Sequence, residues 1–448
     1  MGITQDISDR VSNTKFSDID TLDVQYSKTL LMSALGAMVA GHKCMGSDIV
    51  TRYVKQIGAN SQALVYGEGF RTSVEAAALA NATYAHATEY EDDSFPEAVS
   101  SYTTFPAILA LAEHLGSSGE DIITAFIAGY ETQARIGLAC REARRLGYMV
   151  LCLAGSLGCA ASAARLLKLS PEKTANALSI AASQASGLGY QTGSMAHIIE
   201  MGFAARNGIT AALLASDGFT GQKDILEAPR GLFNIITGGK VESPENIMGH
   251  WGKPYRIREI GIKSYPCCYH LQRIIETTVD LRESGALNPA DIEAIQVDVN
   301  AFFPTVVQHP VPVDPITAQF SLPHAVAIAL LEPRVTPASF ALEKINDPAL
   351  SAMRERVTMV VREDWGWTPT GWTPRIAYTR KDGSVLVSEP ERAKGQPPEL
   401  LSFDQCVPKY RDCVDGIMDE SNIVASIAIM RDLENVKDIK KLIATLEV

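Results

Sequence analysis

Apolar residues recur at helical spacing through most of the first 240 residues, in segments rich in Ala, Leu and Gly that short polar turns separate. That periodicity predicts successive helices from about residue 20 to residue 240. The stretch Leu167-Lys-Leu-Ser-Pro-Glu shows how one begins. Ser170 can accept from the first free backbone amides and Pro171 fits the first turn, and Ala175, Leu178, Ala181 and Ala182 follow at helical intervals. Small residues dominate these faces, so the helices are expected to pack closely. After about residue 265 the period changes. A helical stretch over residues 271–283 precedes the alternation Ile295, Val297, Val299, and a second strand is expected at residues 357–361. Apolar alternation on both sides of Asp382-Gly383 predicts a hairpin within residues 375–387. Residues 391–398 are polar and proline-rich and read as a linker, after which residues 404–446 return to helical patterning. The expected architecture is mainly α with an α+β lid: a large helical domain over residues 1–265, completed by 396–448, and a smaller α+β domain over 266–395.

Composition narrows the function classes. The 448 residues suffice for a complete enzyme, and 46% hydrophobic with 21% charged residues is ordinary for a globular protein. A formal charge of -12 disfavours unspecific binding to nucleic acid or anionic lipid, while leaving room for a locally basic pocket. The closest approach to a membrane span, residues 150–167, is broken by Gly, Ser and Arg165 and reads as a closely packed core helix. The amino terminus is polar and acidic, unlike a secretory signal. Eight cysteines without a CxxC pair read as buried free thiols in a reducing compartment, and the expected location is cytoplasmic.

The strong cofactor signals are missing: there is no Walker loop, no GxGxxG after a strand and no HExxH, and the eight histidines show no short-range pairing that would mark a metal site. Two segments stand out. His86-Ala-Thr-Glu-Tyr-Glu-Asp-Asp places one imidazole and four carboxylates within eight residues at the end of an apolar helix, a crowding that shifts pKa values if buried and is a solvated helix end if not. Lys263-Ser-Tyr-Pro-Cys-Cys-Tyr-His lies where the two textures meet, a favoured place for a pocket. There Lys263 can bind a carboxylate or donate a proton, and Tyr265 and His270 offer further acid or base groups.

Taken in order, these segments resemble the MmgE/PrpD superfamily of methylcitrate dehydratases, cis-aconitate decarboxylases and iminodisuccinate epimerases. The likeness runs from about residue 25 to 445. It rests on Thr72-Ser-Val-Glu-Ala-Ala-Ala-Leu-Ala-Asn with residues 86–93, Pro106-Ala-Ile-Leu-Ala-Leu-Ala-Glu and Ser183-Gln-Ala-Ser-Gly-Leu. It continues through Gly202-Phe-Ala-Ala-Arg-Asn-Gly, residues 263–270, Ala318-Gln-Phe-Ser-Leu-Pro and Lys381-Asp-Gly. The resemblance implies a helical domain built from both chain ends, an inserted α+β lid, usually a homodimer, and chemistry without a metal or organic cofactor. The shared reactions develop negative charge beside a carboxylate, which calls for a positioned base, an acid and cationic or amide donors.

Carried over residue by residue, the resemblance makes Lys263 the junction lysine and Glu89, Asp92 and Asp93 the acidic motif, with Asp93 at a position often held by Thr. Two family histidines fall at Val99 and Met149 and are absent; His197 replaces a lysine, and His324 a frequent tyrosine. Loss of those imidazoles turns the expectation toward an isomerase or epimerase that moves a proton alpha to a carboxylate of a small di- or polycarboxylic acid. Its catalytic groups would be Tyr148, Lys263 and His197, and its substrate-binding groups His86, Glu89, Asp92, Asp93, His324, Tyr265 and His270. The alternatives are a dehydratase or decarboxylase on a citrate- or aconitate-like acid, and a binding protein that has lost catalysis on the same fold.

Overall fold

A computed structural model describes residues 2–447. It bears out the mainly α expectation. Long helices Thr21–Gly41, Val74–Ala87, Ser101–Leu115, Gly119–Ala139, Val150–Leu166 and Met195–Ser216 form the larger part, with a four-stranded sheet in the second half of the chain. Ser170 caps helix Pro171–Ala182 by accepting from the Lys173 amide, with Pro171 in the first turn.

Apolar burial divides into two cores. One gathers residues from Ile3 to Ile262 together with Cys406 to Leu446, so the C-terminal helices pack into the same interior as the N-terminal ones. Helix Phe403–Val414 lies along Thr21–Gly41, and buried Lys28 reaches Glu434 at 2.9 Å. The second core runs from Cys267 to Tyr378. Its sheet has the order Val357–Arg362, Ile292–Asn300, Arg375–Arg380, Val385–Ser388; the first pair is parallel and the other two antiparallel. The last two strands form the hairpin that the alternation predicts, with Gly383 in the left-handed region at φ 83°.

Residues 391–398 join the two cores without forming a helix or strand, as a linker does, but they are held down: Ala393 and Gln396 are buried, and the Gly395 carbonyl accepts from the Ile262 amide at 3.1 Å. One expectation needs correction. Among the described residues, the one helix long and apolar enough to cross a membrane by length and composition is Met195–Ser216, not residues 150–167. It is a core helix, packed against Val74–Ala87 and Val150–Leu166.

Candidate active site

Two short strands place the chemistry. Asp92–Ser94 pairs antiparallel with Ile260–Ile262, with Asp92 opposite Ile262. One pair further along, the Lys263 amide donates to the Glu91 carbonyl at 3.3 Å, so Glu91 and Lys263 are cross-strand neighbours. Extended backbone sends alternate side chains to opposite sides, and the acidic segment follows that rule. Glu89, Glu91 and Asp93 line a cavity of about 350 Å³, whereas Tyr90 and Asp92 point away from it. The Tyr90 hydroxyl donates to the Ser264 carbonyl at 2.9 Å. From helix Phe403–Val414, buried Lys409 donates to the carbonyls of Tyr90 (2.6 Å) and Lys263 (3.0 Å), tying both strands to the C-terminal part of the chain.

Two helices supply the imidazoles. His86 lies in the last turn of Val74–Ala87, which Glu89 ends with φ 49°. His197 lies in the first turn of Met195–Ser216, with Glu200 one turn on. Glycine permits the approach of that helix to its neighbours. A Cβ on Gly202 would stand 2.5 Å from the Leu79 carbonyl oxygen, and one on Gly208 2.6 Å from the Ala160 amide. The result is a His86–His197 ring pair with centroids 4.4 Å apart.

Lys263 is the hub. Its Nζ is 2.5 Å from Glu91 Oε1, 3.2 Å from Glu89 Oε2 and 3.9 Å from Asp93 Oδ2. Burial works against its charge, but the three carboxylates prevail and hold the ammonium protonated well above the ordinary lysine range. Glu89 is depressed to about 2, because Lys263, His197 and His86 outweigh its burial. Glu91 is pushed up to about 7 by burial and the Glu89 charge, against Lys263. Asp93 is raised well above its ordinary value by burial, which the surrounding carboxylates reinforce and Lys263 opposes.

The imidazoles split in the same way. Burial and the neighbouring His197 charge lower His86 to about 3, so it is neutral. Burial also disfavours a charge on His197, yet Glu200 and Glu89 outweigh it and raise the group to about 9. These contacts, 3.5 Å from Nδ1 to Glu200 Oε2 and 3.6 Å from Nε2 to Glu89 Oε1, are charge contacts rather than formed hydrogen bonds. Accordingly His86 Nδ1, His197 Nδ1, Glu89 Oε1, Glu91 Oε2 and Glu200 Oε2 are buried without hydrogen-bond partners. Four of these atoms, on His86, Glu89, Glu91 and His197, belong to residues that line the cavity.

The structure thus brings His86, Glu89, Asp93, Tyr148, His197, Lys263 and His270 around one cavity. His270 is lowered to about 3 by burial and the charges of Arg144, Arg273 and Lys263, so it is neutral. Three predicted site residues lie elsewhere. Asp92 turns into the protein and accepts from the Ser101 amide (2.7 Å) and from the hydroxyls of Ser100 (2.9 Å) and Ser101, at the start of helix Ser101–Leu115. Tyr265 packs against the second core and donates to Glu276 at 3.1 Å. His324 is buried, with Nε2 3.0 Å from the Ser339 carbonyl oxygen and Nδ1 3.3 Å from Arg354. Sequence reasoning missed three residues here: Glu91 and Arg144, which line the cavity, and Glu200, which stands beside His197. Alternation through residues 89–93 was the signal for Glu91, and the i,i+3 spacing from His197 for Glu200.

His86, Glu89 and His197 also offer ligand-type atoms that all lie within 4.8 Å of one another, a donor set suited to a divalent transition metal. Against that use, the other oxygen of Glu89 already faces the Lys263 ammonium at 3.2 Å, so a dication there would meet a fixed positive charge.

Cavity, lysine hub and helical frame together define a carboxylate-rich pocket around one buried lysine. Residues 5–244 match the MmgE/PrpD N-terminal domain and residues 265–435 the MmgE/PrpD C-terminal domain, and the chain belongs to the MmgE/PrpD family. It is 27% identical to the cis-aconitate decarboxylase of Aspergillus terreus over 472 residues, covering 99% of this chain and 96% of that protein. It is 26% identical to the human cis-aconitate decarboxylase, covering 97% and 92%. The 2-methylcitrate dehydratase of Cupriavidus necator is 28% identical over a shorter stretch, 41% of this chain and 40% of that protein. Relatives named as decarboxylases and a dehydratase support the lyase alternative over the epimerase expectation.

Proposed function

We propose that the protein is a lyase, a decarboxylase or dehydratase acting on a small carboxylic acid, with Lys263 as the proton donor: to the carbanionic carbon in a decarboxylation, to the departing hydroxyl in a dehydration. The observation that carries this reading is the protonation state of Lys263. Three carboxylates within 3.9 Å keep it an ammonium, which suits a proton donor or an electrostatic stabiliser and not a resting base. In a decarboxylation the C–C bond breaks, CO2 leaves, the electron pair remains on the adjacent carbon, and the Lys263 proton neutralises it. Glu91, in contact with Lys263 and raised to about 7, is placed to restore that proton. In a dehydration Glu91, as the carboxylate, removes the proton alpha to the substrate carboxylate, the C–O bond breaks as the double bond forms, and the Lys263 ammonium protonates the departing hydroxyl, which leaves as water. Neutral His86 and charged His197 then orient Glu89.

An epimerase is the second reading, favoured by one observation: Tyr148 lines the same cavity as Lys263, and a pair of groups on one cavity is what proton removal and return require. It needs Lys263 to give up its proton before substrate binds, which the three carboxylates oppose. Eight free thiols, seven of them buried, support a reducing compartment such as the cytoplasm.

Incubation with a panel of aconitates, citrates and iminodisuccinate stereoisomers, extended to aryl- and alkyl-substituted unsaturated and hydroxylated acids, separates the readings. Release of CO2 or water supports the lyase, deuterium uptake without loss of either supports the epimerase, and inactivity of all members would count against both.

A further inference from the structure

The cavity has a second pole that the proton chemistry does not use. Arg144, on the short helix Arg141–Arg145, lines the cavity with its guanidinium 5.1 Å from the Phe95 ring centroid and 5.8 Å from that of Phe302. Beside it Arg145 stands 5.6 Å over Trp367, and Trp367 meets Phe302 edge-on at 5.0 Å. Among the described residues no carboxylate pairs with Arg144; burial lowers it to about 10, opposed only by the charge of Asp93. Its forked donors are therefore free toward the cavity.

The two poles differ in what they can accept. At the lysine pole a single ammonium already answers three carboxylates, so a substrate carboxylate brought there meets Glu91 and Asp93. At the arginine pole a planar cation without a partner is matched to a carboxylate, and the rings on either side keep water away from the pair. Much of the cavity lining is apolar and aromatic, with Phe95, Met149, Phe302, Phe320 and Trp367, while Thr305 and Gln308 add polar groups to it. A compact acid studded with hydroxyls and carboxylates finds few partners on that apolar part, whereas an aryl or branched alkyl group buries its surface there.

We infer that Arg144 with Phe95, Phe302 and Trp367 forms a specificity subsite for a carboxylate borne on an apolar body, so that the substrate is an aryl- or alkyl-substituted acid rather than a compact tricarboxylate. The subsite holds the acid by its carboxylate and turns the neighbouring carbon toward Lys263. This rests on the carboxylic acid reading above but is tested apart from turnover.

The experiment is isothermal titration of the full-length protein with succinate, tricarballylate and benzylsuccinate, using the wild type and the Arg144→Met, Arg144→Lys and Trp367→Ala variants, each checked for an unchanged melting profile. Benzylsuccinate is expected to bind the wild type at least tenfold tighter than tricarballylate. Arg144→Met is expected to lose at least tenfold for benzylsuccinate, with Arg144→Lys intermediate. Trp367→Ala weakens benzylsuccinate severalfold and leaves succinate unchanged. Preference for tricarballylate, unaltered benzylsuccinate binding in Arg144→Met, or no binding by any of the three overturns the subsite. If Arg144→Met behaves as expected while no acid in the turnover panel reacts, the subsite stands and the lyase reading falls; turnover without an Arg144 effect gives the converse.

Discussion

Glu91 and Lys263 face each other across an antiparallel ladder, one pair beyond Asp92 and Ile262, with the lysine Nζ 2.5 Å from Glu91 Oε1. Backbone register sets the two residues opposite each other, through the Lys263 amide and the Glu91 carbonyl. The pair joins a residue fixed as a cation to one whose proton is held loosely near neutrality, the combination a proton relay needs.

Replacing Lys263 by Met leaves Glu89, Glu91 and Asp93 buried without their cation. Removing one partner of a buried pair costs on the order of 3–5 kcal/mol. The loss is expected to be larger at pH 8, where the carboxylates ionise, than at pH 5.5, where protonation relieves them. Urea unfolding at the two pH values measures it, and turnover is expected to fall by roughly 10²–10⁴.

The pH dependence of kcat/KM is expected to show a limb near pH 7 that belongs to Glu91, and Glu91→Gln removes it. The same group makes a stability prediction. Its folded pKa lies above the value of 4.5 expected when exposed, so its contribution is full below that value and is lost as pH rises through about 7. The melting temperature of the wild type should therefore decline over this window relative to Glu91→Gln.

His86 and His197 are in contact yet titrate in opposite directions. Nitrogen-15 NMR of labelled histidine should show His197 protonated up to about pH 9 and His86 neutral down to about pH 3. Stability from His197 is complete below its ordinary value of 6.5 and is lost as pH rises through about 9. Glu200→Gln is expected to lower the His197 titration, since it removes one of the two carboxylates that raise it.

Asp92→Ala separates structure from chemistry. Asp92 accepts from Ser101 and Ser100 outside the cavity, so its loss strips buried donors of their acceptor, a cost of about 1–3 kcal/mol in unfolding experiments. KM is expected to stay as in the wild type, whereas a residue that bound substrate would change it.

The helical body and the hairpin were legible because burial periodicity and turn chemistry are local. Lys263 and the acidic motif were legible because unusual charge stood in apolar surroundings. Asp92 was misread because the helix has already ended at Glu89 and the chain runs on into the strand Asp92–Ser94, where a period of two sends neighbouring side chains to opposite sides. His324 looked functional through the family resemblance and Tyr265 through its place at the junction, but in three dimensions the Ser339 carbonyl with Arg354 engages the first and Glu276 the second. Arg144 carried no local signal: its meaning lies in the absence of a carboxylate partner and in the rings of Phe95 and Phe302, which come from distant parts of the chain.

The central claim is that Lys263 gives a proton to carbon beside a carboxylate. Proton NMR in D2O, with wild type and Lys263→Gln and a panel of unsaturated and hydroxylated di- and tricarboxylates extended to aryl- and alkyl-substituted acids, tests it most directly. The account predicts that the wild type forms a product carrying solvent deuterium at the carbon next to a carboxylate, and that Lys263→Gln, still folded, does not. Equal deuterium incorporation by the two proteins would contradict it.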